Sequence, residues 1–168
     1  MTGPAPPAPE SRTDRLAERA AESELDTLLV TNLVNLRYLT GFTGTNGLAL
    51  VGADGERTFV TDFRYLDQAE AQVPAAFERV RGKQDLLGDA AAPLFGRVGF
   101  DDGHLTVSAH RRLGELVPEG VELVPAGGLV EDLRAVKEPG EVERIARAAA
   151  IVDEALVLVR DRLAEAAP

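Results

Sequence analysis

The chain has 168 residues, of which 45% are hydrophobic and 27% are charged, a balance typical of a globular domain with a packed core. Its net charge of −10 argues against binding to nucleic acid or anionic membranes, because both present phosphate groups. The lack of cysteine excludes disulfides, zinc–thiolate sites and thiol nucleophiles. The sequence has neither a bilayer-spanning apolar run nor a signal peptide, and we therefore expect a cytoplasmic protein.

The predicted elements alternate between helices and strands. Residues 1–10 include four prolines and are predicted to form a disordered tail. Helices are predicted from Ser11 onward and over 63–72, 84–95 and 106–116. Strands are predicted over 25–31, 48–51, 57–61, 77–80, 97–100 and 121–124, the second and third of them joined by an Asp-Gly turn. This order predicts an α/β domain whose mixed β-sheet is flanked by helices.

Residues 35–47 form the densest cluster of aromatic, cationic and turn-forming side chains in the chain. Glycines recur there at positions 41, 44 and 47, and glycine tolerates conformations that interrupt regular structure. We therefore predict a shaped loop over the whole of 35–47. Residues 61–65 repeat the pairing of an arginine with a tyrosine beside a strand. Exposed Arg, Tyr and Phe side chains in these two segments would suit recognition of a carboxylate or an aromatic group.

A long C-terminal helix is predicted from Pro139 to about residue 164, after a domain boundary within 133–139. Its apolar residues recur at steps of three and four, at Val142, Ile145, Ala149, Val152, Leu156, Val159 and Leu163. A second row lies beside the first, at Ala148, Ile151, Ala155 and Leu158. Because this face is wider than one packing partner requires, we expect contacts with the domain and with either another copy or a missing domain. Self-association of the chain is the expected result.

Candidate catalytic groupings are few. His104 and His110 are six residues apart, rather than the four that place two ligands on one helix face. No serine lies in a Gly-x-Ser-x-Gly setting, and the glycine-rich loop lacks the lysine and the following helix of a phosphate-binding loop. Asp62, Asp101 and Asp102 follow strands and could surround magnesium in a nuclease, although such residues are more often caps. We therefore predict no catalytic residue and no metal ligand in this chain.

Three segments, 25–31, 35–47 and 61–65, resemble the N-terminal domain of the Xaa-Pro peptidases, the family of aminopeptidase P and Xaa-Pro dipeptidase, which are relatives of creatinase. Residues 133–137 and 141–145 resemble the junction to the catalytic domain of that family. The resemblance implies a ribonuclease-H-like, creatinase/prolidase-type domain over 11–136. It also implies that 137–168 are the linker and first helix of a pita-bread catalytic domain that this chain lacks.

The resemblance carries expectations about function. The parent enzyme would hydrolyse the peptide bond preceding proline, with two divalent metal ions of the manganese type in the missing domain. This chain would be inactive alone and would contribute to oligomerisation and to the rim of the active site. Its partners would be its own catalytic domain, a second subunit in a homo-oligomer, and proline-containing peptides. The candidate rim residues, matched by position, are Phe42, Arg64, Tyr65, Arg37 and Tyr38.

Other functions remain open at this point. The same fold could be a stand-alone module that binds a peptide or a protein, with the last helix as the docking element. A nuclease-like enzyme based on Asp62 and Asp101 is a third hypothesis. Within the resemblance, Phe63 stands where the family usually has glycine before the Arg-Tyr pair.

Overall fold

The computed structural model describes residues 11–83 and 85–166, with side chains at 161 and 163–166 outside the description. The predicted disordered tail, residues 1–10, lies outside the described residues. The chain divides into two compact units between Arg134 and Ala135, and we describe each by itself. None of the described helices combines the length and the apolar character needed to cross a bilayer.

In its described residues, the first unit contains a six-stranded sheet and six helices, the last of which ends one residue past the division. The strands are β1 Thr27–Val30, β2 Gly47–Gly52, β3 Arg57–Thr61, β4 Glu78–Arg81, β5 Arg97–Phe100 and β6 Glu122–Pro125. The helices are α1 Arg12–Glu22, α2 Leu33–Thr40, α3 Leu66–Gln72, α4 Leu86–Ala91, α5 Val107–Leu116 and α6 Leu129–Ala135, with a 3-10 turn at Phe63–Tyr65 before α3.

The strand order is β4-β3-β2-β1-β5-β6. β2 is antiparallel to both of its neighbours, and the other pairs in the sheet are parallel. The prediction of a mixed sheet flanked by helices is therefore confirmed. As a consequence, β1, β3, β4, β5 and β6 all end at the same edge of the sheet, which we call the carboxyl edge. In open α/β sheets, ligands bind in crevices at this edge.

The core lies on both faces of the sheet. β1 is buried along its whole length, as its continuous apolar run predicts. Because side chains alternate along a strand, Leu28 and Val30 join one cluster, with Leu16 of α1, while Leu29 joins the other, with Leu113 of α5. Both faces of this central strand are therefore covered by helices.

The prediction of a loop over all of 35–47 is wrong for its first six residues, which belong to α2. Asn32 caps this helix, because its side chain accepts a hydrogen bond from the Val34 amide at 2.9 Å. Gly41 ends it in the left-handed conformation, with φ of 76°. The glycines thus lie after the helix rather than inside it, and only 41–46 form the loop.

Other element boundaries also differ from the sequence prediction. The helix predicted over 63–72 starts as the 3-10 turn, and α4 is shorter than the predicted 84–95. The sequence analysis missed α6, because seven residues give too few turns for a helical period to be visible.

The second unit is dominated by α7, which runs from Pro139 to Ala166 as predicted. Its two apolar rows are exposed along the described part of the helix. Exposure reaches 55% at Ile145, 61% at Leu156 and 66% at Leu158. Leu163, the last residue of the first row, lies outside the described side chains.

Candidate functional site

The turn after β3 holds Arg64 in a fixed geometry. The Asp62 carboxylate caps the turn by accepting from the Arg64 amide at 2.9 Å. The same carboxylate accepts from the Arg64 guanidinium twice, from Nε at 3.0 Å and from Nη2 at 2.7 Å. Asn46 adds a hydrogen bond from Nδ2 to Oδ2 of Asp62, at 2.6 Å. The hydrogen bonds from Arg64, followed by that from Asn46, hold the pKa of Asp62 well below its usual value.

This arrangement orients the Arg64 guanidinium at the carboxyl edge and leaves some of its N–H donors unused. The Arg64 side chain is 58% exposed, whereas that of Asp62 is only 8% exposed. A guanidinium has five N–H groups, and Asp62 engages Nε and one hydrogen of Nη2. The remaining donors can serve an external carboxylate or carbonyl.

The glycine-rich loop and the turn pack together through aromatic rings. Phe42 meets Phe59 edge to face at 4.9 Å and Tyr65 at 5.7 Å between ring centroids. A Cβ atom on Gly44 would lie 2.3 Å from Cζ of Phe42, so only glycine permits this approach. The Tyr65 hydroxyl lies 2.6 Å from Oγ1 of Thr45. Loop and turn therefore form one packed piece that supports Arg64 and Tyr65.

The expectation that the candidate rim residues are exposed is wrong for two of them. Phe42 is 1% exposed and Tyr38 is 8% exposed. The Arg12 guanidinium covers the Tyr38 ring at 4.1 Å, and the Tyr38 hydroxyl donates to the Leu133 carbonyl at 3.3 Å. Tyr38 is buried because it lies on the core side of α2, whereas Phe42, in the loop after α2, is buried between Phe59 and Tyr65. Arg37, on the opposite side of α2, is exposed.

The structure brings Arg64 and Tyr65 together and leaves Arg37 and Tyr38 elsewhere. The Arg64 guanidinium lies 5.4 Å from the Tyr65 ring centroid. Within 11–83 and 85–166, no hydrogen bond or ring contact joins Arg37 or Tyr38 to either of them. Of the five predicted residues, only Arg64 and Tyr65 thus form a shared, accessible feature.

A second polar cluster was not identified from the sequence. Asn35 is 1% exposed, and its Nδ2 donates to Oδ2 of Asp101 at 3.3 Å and to Oε1 of Glu131 at 2.7 Å. Arg134 donates from Nη1 to Oδ1 of Asn35 at 2.9 Å. Burial, and then the nearby charge of Glu131, raise the pKa of Asp101. The sequence feature that could have indicated this cluster is Asn35, a polar residue between apolar residues of a short helical segment.

This cluster borders a cleft of about 440 Å³ at the carboxyl edge. Its lining residues are acidic, amide or glycine: Asn32, Asp101, Asp102, Gly103, Gly127, Gly128 and Glu131. Asp102 is held by the Gly127 amide, which donates to Oδ1 at 2.6 Å. Much of the hydrogen-bonding capacity of the cleft is therefore directed at its own walls.

The carboxylates proposed for a nuclease do not converge. Asp62 follows β3 and Asp101 follows β5, and β2 and β1 lie between these strands. Three strand spacings of about 4.8 Å separate the two by about 14 Å, which is too far for a shared two-metal centre. Across the described ranges, no group of three or more acidic or histidine side chains has the geometry to hold a metal ion.

Comparison with known proteins identifies the domain. The family model for the creatinase/prolidase N-terminal domain matches residues 12–136. The chain belongs to this family. The resemblance inferred from the sequence is therefore confirmed, and the six-stranded sheet described above is that of a creatinase/prolidase N-terminal domain.

Three relatives illustrate how much of a protein this domain represents. The uncharacterized peptidase YqhT of Bacillus subtilis strain 168 is 34% identical over 148 residues, which are 86% of this chain and 41% of that protein. The Xaa-Pro dipeptidase from Bacillus anthracis superposes with a TM-score of 0.83 at 31% identity, over 89% of this chain and 42% of its own. The chain thus spans less than half the length of these relatives.

The third relative is itself a separate N-terminal domain. The N-terminal domain of the cytoplasmic peptidase PepQ from Mycobacterium tuberculosis H37Rv superposes with a TM-score of 0.66 at 37% identity. The match covers 73% of this chain and 97% of that one. A domain of this kind therefore forms crystals as a separate unit.

Proposed function

We propose that the chain is the non-catalytic N-terminal domain of an Xaa-Pro metallopeptidase, whose parent hydrolyses the bond preceding proline. The family match over 12–136, together with a span of 41% of one relative, carries this proposal. Residues 11–136 would be the domain itself, and 137–168 the linker and first helix of a pita-bread catalytic domain. A cytoplasmic location is part of the proposal, supported by the relative described as a cytoplasmic peptidase.

The metal of the parent would lie outside this domain. The resemblance implies two divalent ions of the manganese type. The part of the chain in the structure offers no cluster of three or more suitable ligands, so the residues present do not fit such a centre. We therefore derive no catalytic step from these residues.

The role proposed for this domain is at the rim of the active site and in subunit contacts. Arg64 is exposed and preoriented by Asp62, and the Tyr65 ring lies beside it. Two apolar side chains that follow β1 and β3 are exposed, with 55% exposure at Val34 and 66% at Phe63. An edge with a fixed cation and exposed apolar groups suits contact with a peptide and with a second subunit.

The direct test is an assay of the purified chain with Xaa-Pro dipeptides and longer Xaa-Pro peptides, with and without Mn²⁺. We expect no release of the N-terminal residue. Metal-dependent release by a homogeneous sample would contradict the proposal.

A chimera tests the rim role. The chain would replace the matched segment of the Bacillus anthracis dipeptidase, to which it is 31% identical. We expect Arg64→Ala to raise KM about tenfold, since it removes a charged hydrogen-bond donor from substrate. Arg111→Ala, an exposed arginine on α5, is the matched control and should leave KM unchanged. Equal kinetics for the two variants would remove Arg64 from the proposed rim.

The alternative of a stand-alone interaction module remains a prediction, and the exposed α7 favours it. The nucleotide sequence after codon 168 distinguishes the peptidase-domain hypothesis from the interaction-module hypothesis. A reading frame that continues into segments bearing Asp, His and Glu ligands favours the peptidase. A stop codon favours the module.

A further inference from the structure

The cleft at the carboxyl edge lies where the chain leaves two neighbouring strands in opposite directions. β1 and β5 are adjacent and parallel. After β1 the chain enters α2, which packs on one face of the sheet, and after β5 it enters α5, which packs on the other. In open α/β sheets such a divergence opens a crevice between the strand ends, and ligands bind there. The cleft of about 440 Å³ occupies this crevice, and its volume is within the range of about 300–1,000 Å³ typical of small-ligand pockets.

One wall of the cleft is a buried carboxylate that the domain satisfies only in part. Asp101 is 9% exposed, and among the described residues its carboxylate accepts a side-chain hydrogen bond at Oδ2 alone, from Asn35 at 3.3 Å. Oδ1 is directed toward Gly103 in the cleft wall, where an added Cβ would lie 4.0 Å from it. Because a buried carboxylate normally accepts several hydrogen bonds, Oδ1 indicates a donor that the domain itself does not supply.

Two more carboxylates of the cleft use one oxygen each on the protein. Glu131 accepts from Asn35 at Oε1, and Asp102 accepts from the Gly127 amide at Oδ1. Within 11–83 and 85–166, no hydrogen bond reaches Oε2 of Glu131 or Oδ2 of Asp102. Since one nitrogen of Asn35 donates to both Asp101 and Glu131, at 3.3 Å and 2.7 Å, the two acceptor oxygens lie within about 6 Å of each other. A cation between these carboxylates would therefore contact both.

The acceptors suit a cation that carries N–H donors. The described residues contain no group of three or more ligands with the geometry for a metal ion. A guanidinium spreads its N–H donors around a plane and can bridge two carboxylates, whereas an ammonium is a compact charge that is held more strongly by water. Burial and the nearby charge of Glu131 raise the pKa of Asp101, and a bound cation would offset both effects.

We propose that this cleft binds an alkyl guanidinium group, held between Asp101 and Glu131 with Asp102 beside them. A guanidinium belongs either to a small molecule or to an arginine side chain of a polypeptide, and the experiments below distinguish these two sources. The inference goes beyond the proposed function and does not depend on it, because every residue that it uses belongs to the first unit.

Titration of the 168-residue chain with butylguanidine, followed by ¹H–¹⁵N NMR, tests the site. We expect saturable shifts of the amide signals of residues 101–103 and 127–131. Butylamine has the same charge and the same alkyl chain and should bind at least about threefold more weakly, because it lacks the planar set of donors. No saturable shift in these segments, or equal affinity for the two compounds, would overturn the proposal.

Three variants test the carboxylates. Asp101→Asn and Glu131→Gln should each weaken butylguanidine binding about tenfold, because each removes a charged acceptor. Asp132→Asn makes the same change of charge at an exposed position of α6 outside the cleft lining, and its affinity should equal that of the unsubstituted chain. The amide spectrum of each variant shows whether it is folded. Equal affinities of the three variants would mean that general negative charge attracts the probe and would refute the site.

The source of the guanidinium is distinguished by N-acetylarginine N-methylamide, which presents arginine as a polypeptide does. Binding at least as tight as that of butylguanidine would assign the cleft to an arginine side chain of a protein. Binding of butylguanidine alone would assign it to a small molecule. Either result supports a guanidinium site, and failure of both compounds to bind would contradict it.

Discussion

The absence of a side chain at Gly44 lets the rings of Phe42 and Tyr65 contact each other. An alanine there would bring Cβ to 2.3 Å from Phe42 and 2.9 Å from Tyr65, and neither ring can withdraw from its packed position without disturbing the other. We predict that Gly44→Ala lowers the free energy of unfolding by about 1–3 kcal/mol, the usual range for overpacking. Denaturant unfolding measures the change.

The matched control is Gly114→Ala in α5, where an added Cβ meets no atom within 4 Å. There the helix propensity of alanine should raise the free energy of unfolding by about 0.5–1 kcal/mol. Destabilisation of similar size at both sites would mean that Gly44 is not held by the rings.

Ionisation of Asp101 should make the stability of the fold depend on pH in a definite direction. Burial and Glu131 raise its pKa in the folded state above the ordinary value of 3.8. The charged form therefore weakens the fold above the raised pKa, and this penalty disappears as the pH falls through that pKa toward 3.8. We predict that the Asp101→Asn variant has a higher melting temperature than the unsubstituted chain at pH 7, and that the difference shrinks as the pH is lowered.

Thermal unfolding from pH 4 to pH 7 measures this difference. Asp67→Asn, which removes an exposed carboxylate from α3, changes the net charge equally and should shift the melting temperature little at either pH. A difference for Asp101→Asn that grows on acidification would show that the sign is wrong.

At the scale of elements, α2, α6 and the end of β5 are joined through one side chain. The Asn35 amide contacts Asp101 and Glu131, and its carbonyl oxygen accepts from Arg134. Truncation of this buried group leaves charged partners without their hydrogen bonds. We predict that Asn35→Ala costs about 2–4 kcal/mol in the free energy of unfolding, measured by denaturant titration.

Arg37→Ala, on the exposed side of the same helix, should change stability by less than about 0.5 kcal/mol. This comparison separates the hydrogen-bond network from a general effect on α2. Similar losses for the two substitutions would indicate that helix propensity, rather than the network, explains the result.

At the scale of the whole molecule, the chain consists of a sheet domain and a long exposed helix. The division falls at Arg134, close to the end of the family match at residue 136. Relatives consisting almost wholly of the N-terminal domain have crystal structures, including one from Corynebacterium diphtheriae with a match covering 94% of that chain. The sheet domain should therefore be stable without α7.

We predict that a chain ending at Val136 stays folded, with a melting temperature within about 5 °C of the 168-residue chain, because the core clusters lie within 16–133. Circular dichroism and thermal unfolding check this. An unfolded product would show that the domain depends on α7.

The candidate site shows which features of a site can be predicted from sequence patterns and which cannot. Arg64 and Tyr65 were singled out by their position in the family resemblance and by an Arg-Tyr pair beside a strand. Phe42 and Tyr38 were expected at the surface because 35–47 was assigned as a loop, but both are buried. Tyr38 lies on the core side of a helix that was assigned as a loop, and Phe42 lies in the loop but packs against Phe59 and Tyr65.

The sequence by itself determined the order of the six strands, the hairpin, α7 and the family, because each depends on residues close together in the chain. Only the tertiary structure decided that Asn35 is a buried hub and that Asp62 and Asp101 lie at separate strand ends. The Asn35 contacts join residues 66 to 99 positions apart. Local periodicity does not encode such pairs, since they arise only when the sheet brings distant strand ends to one edge.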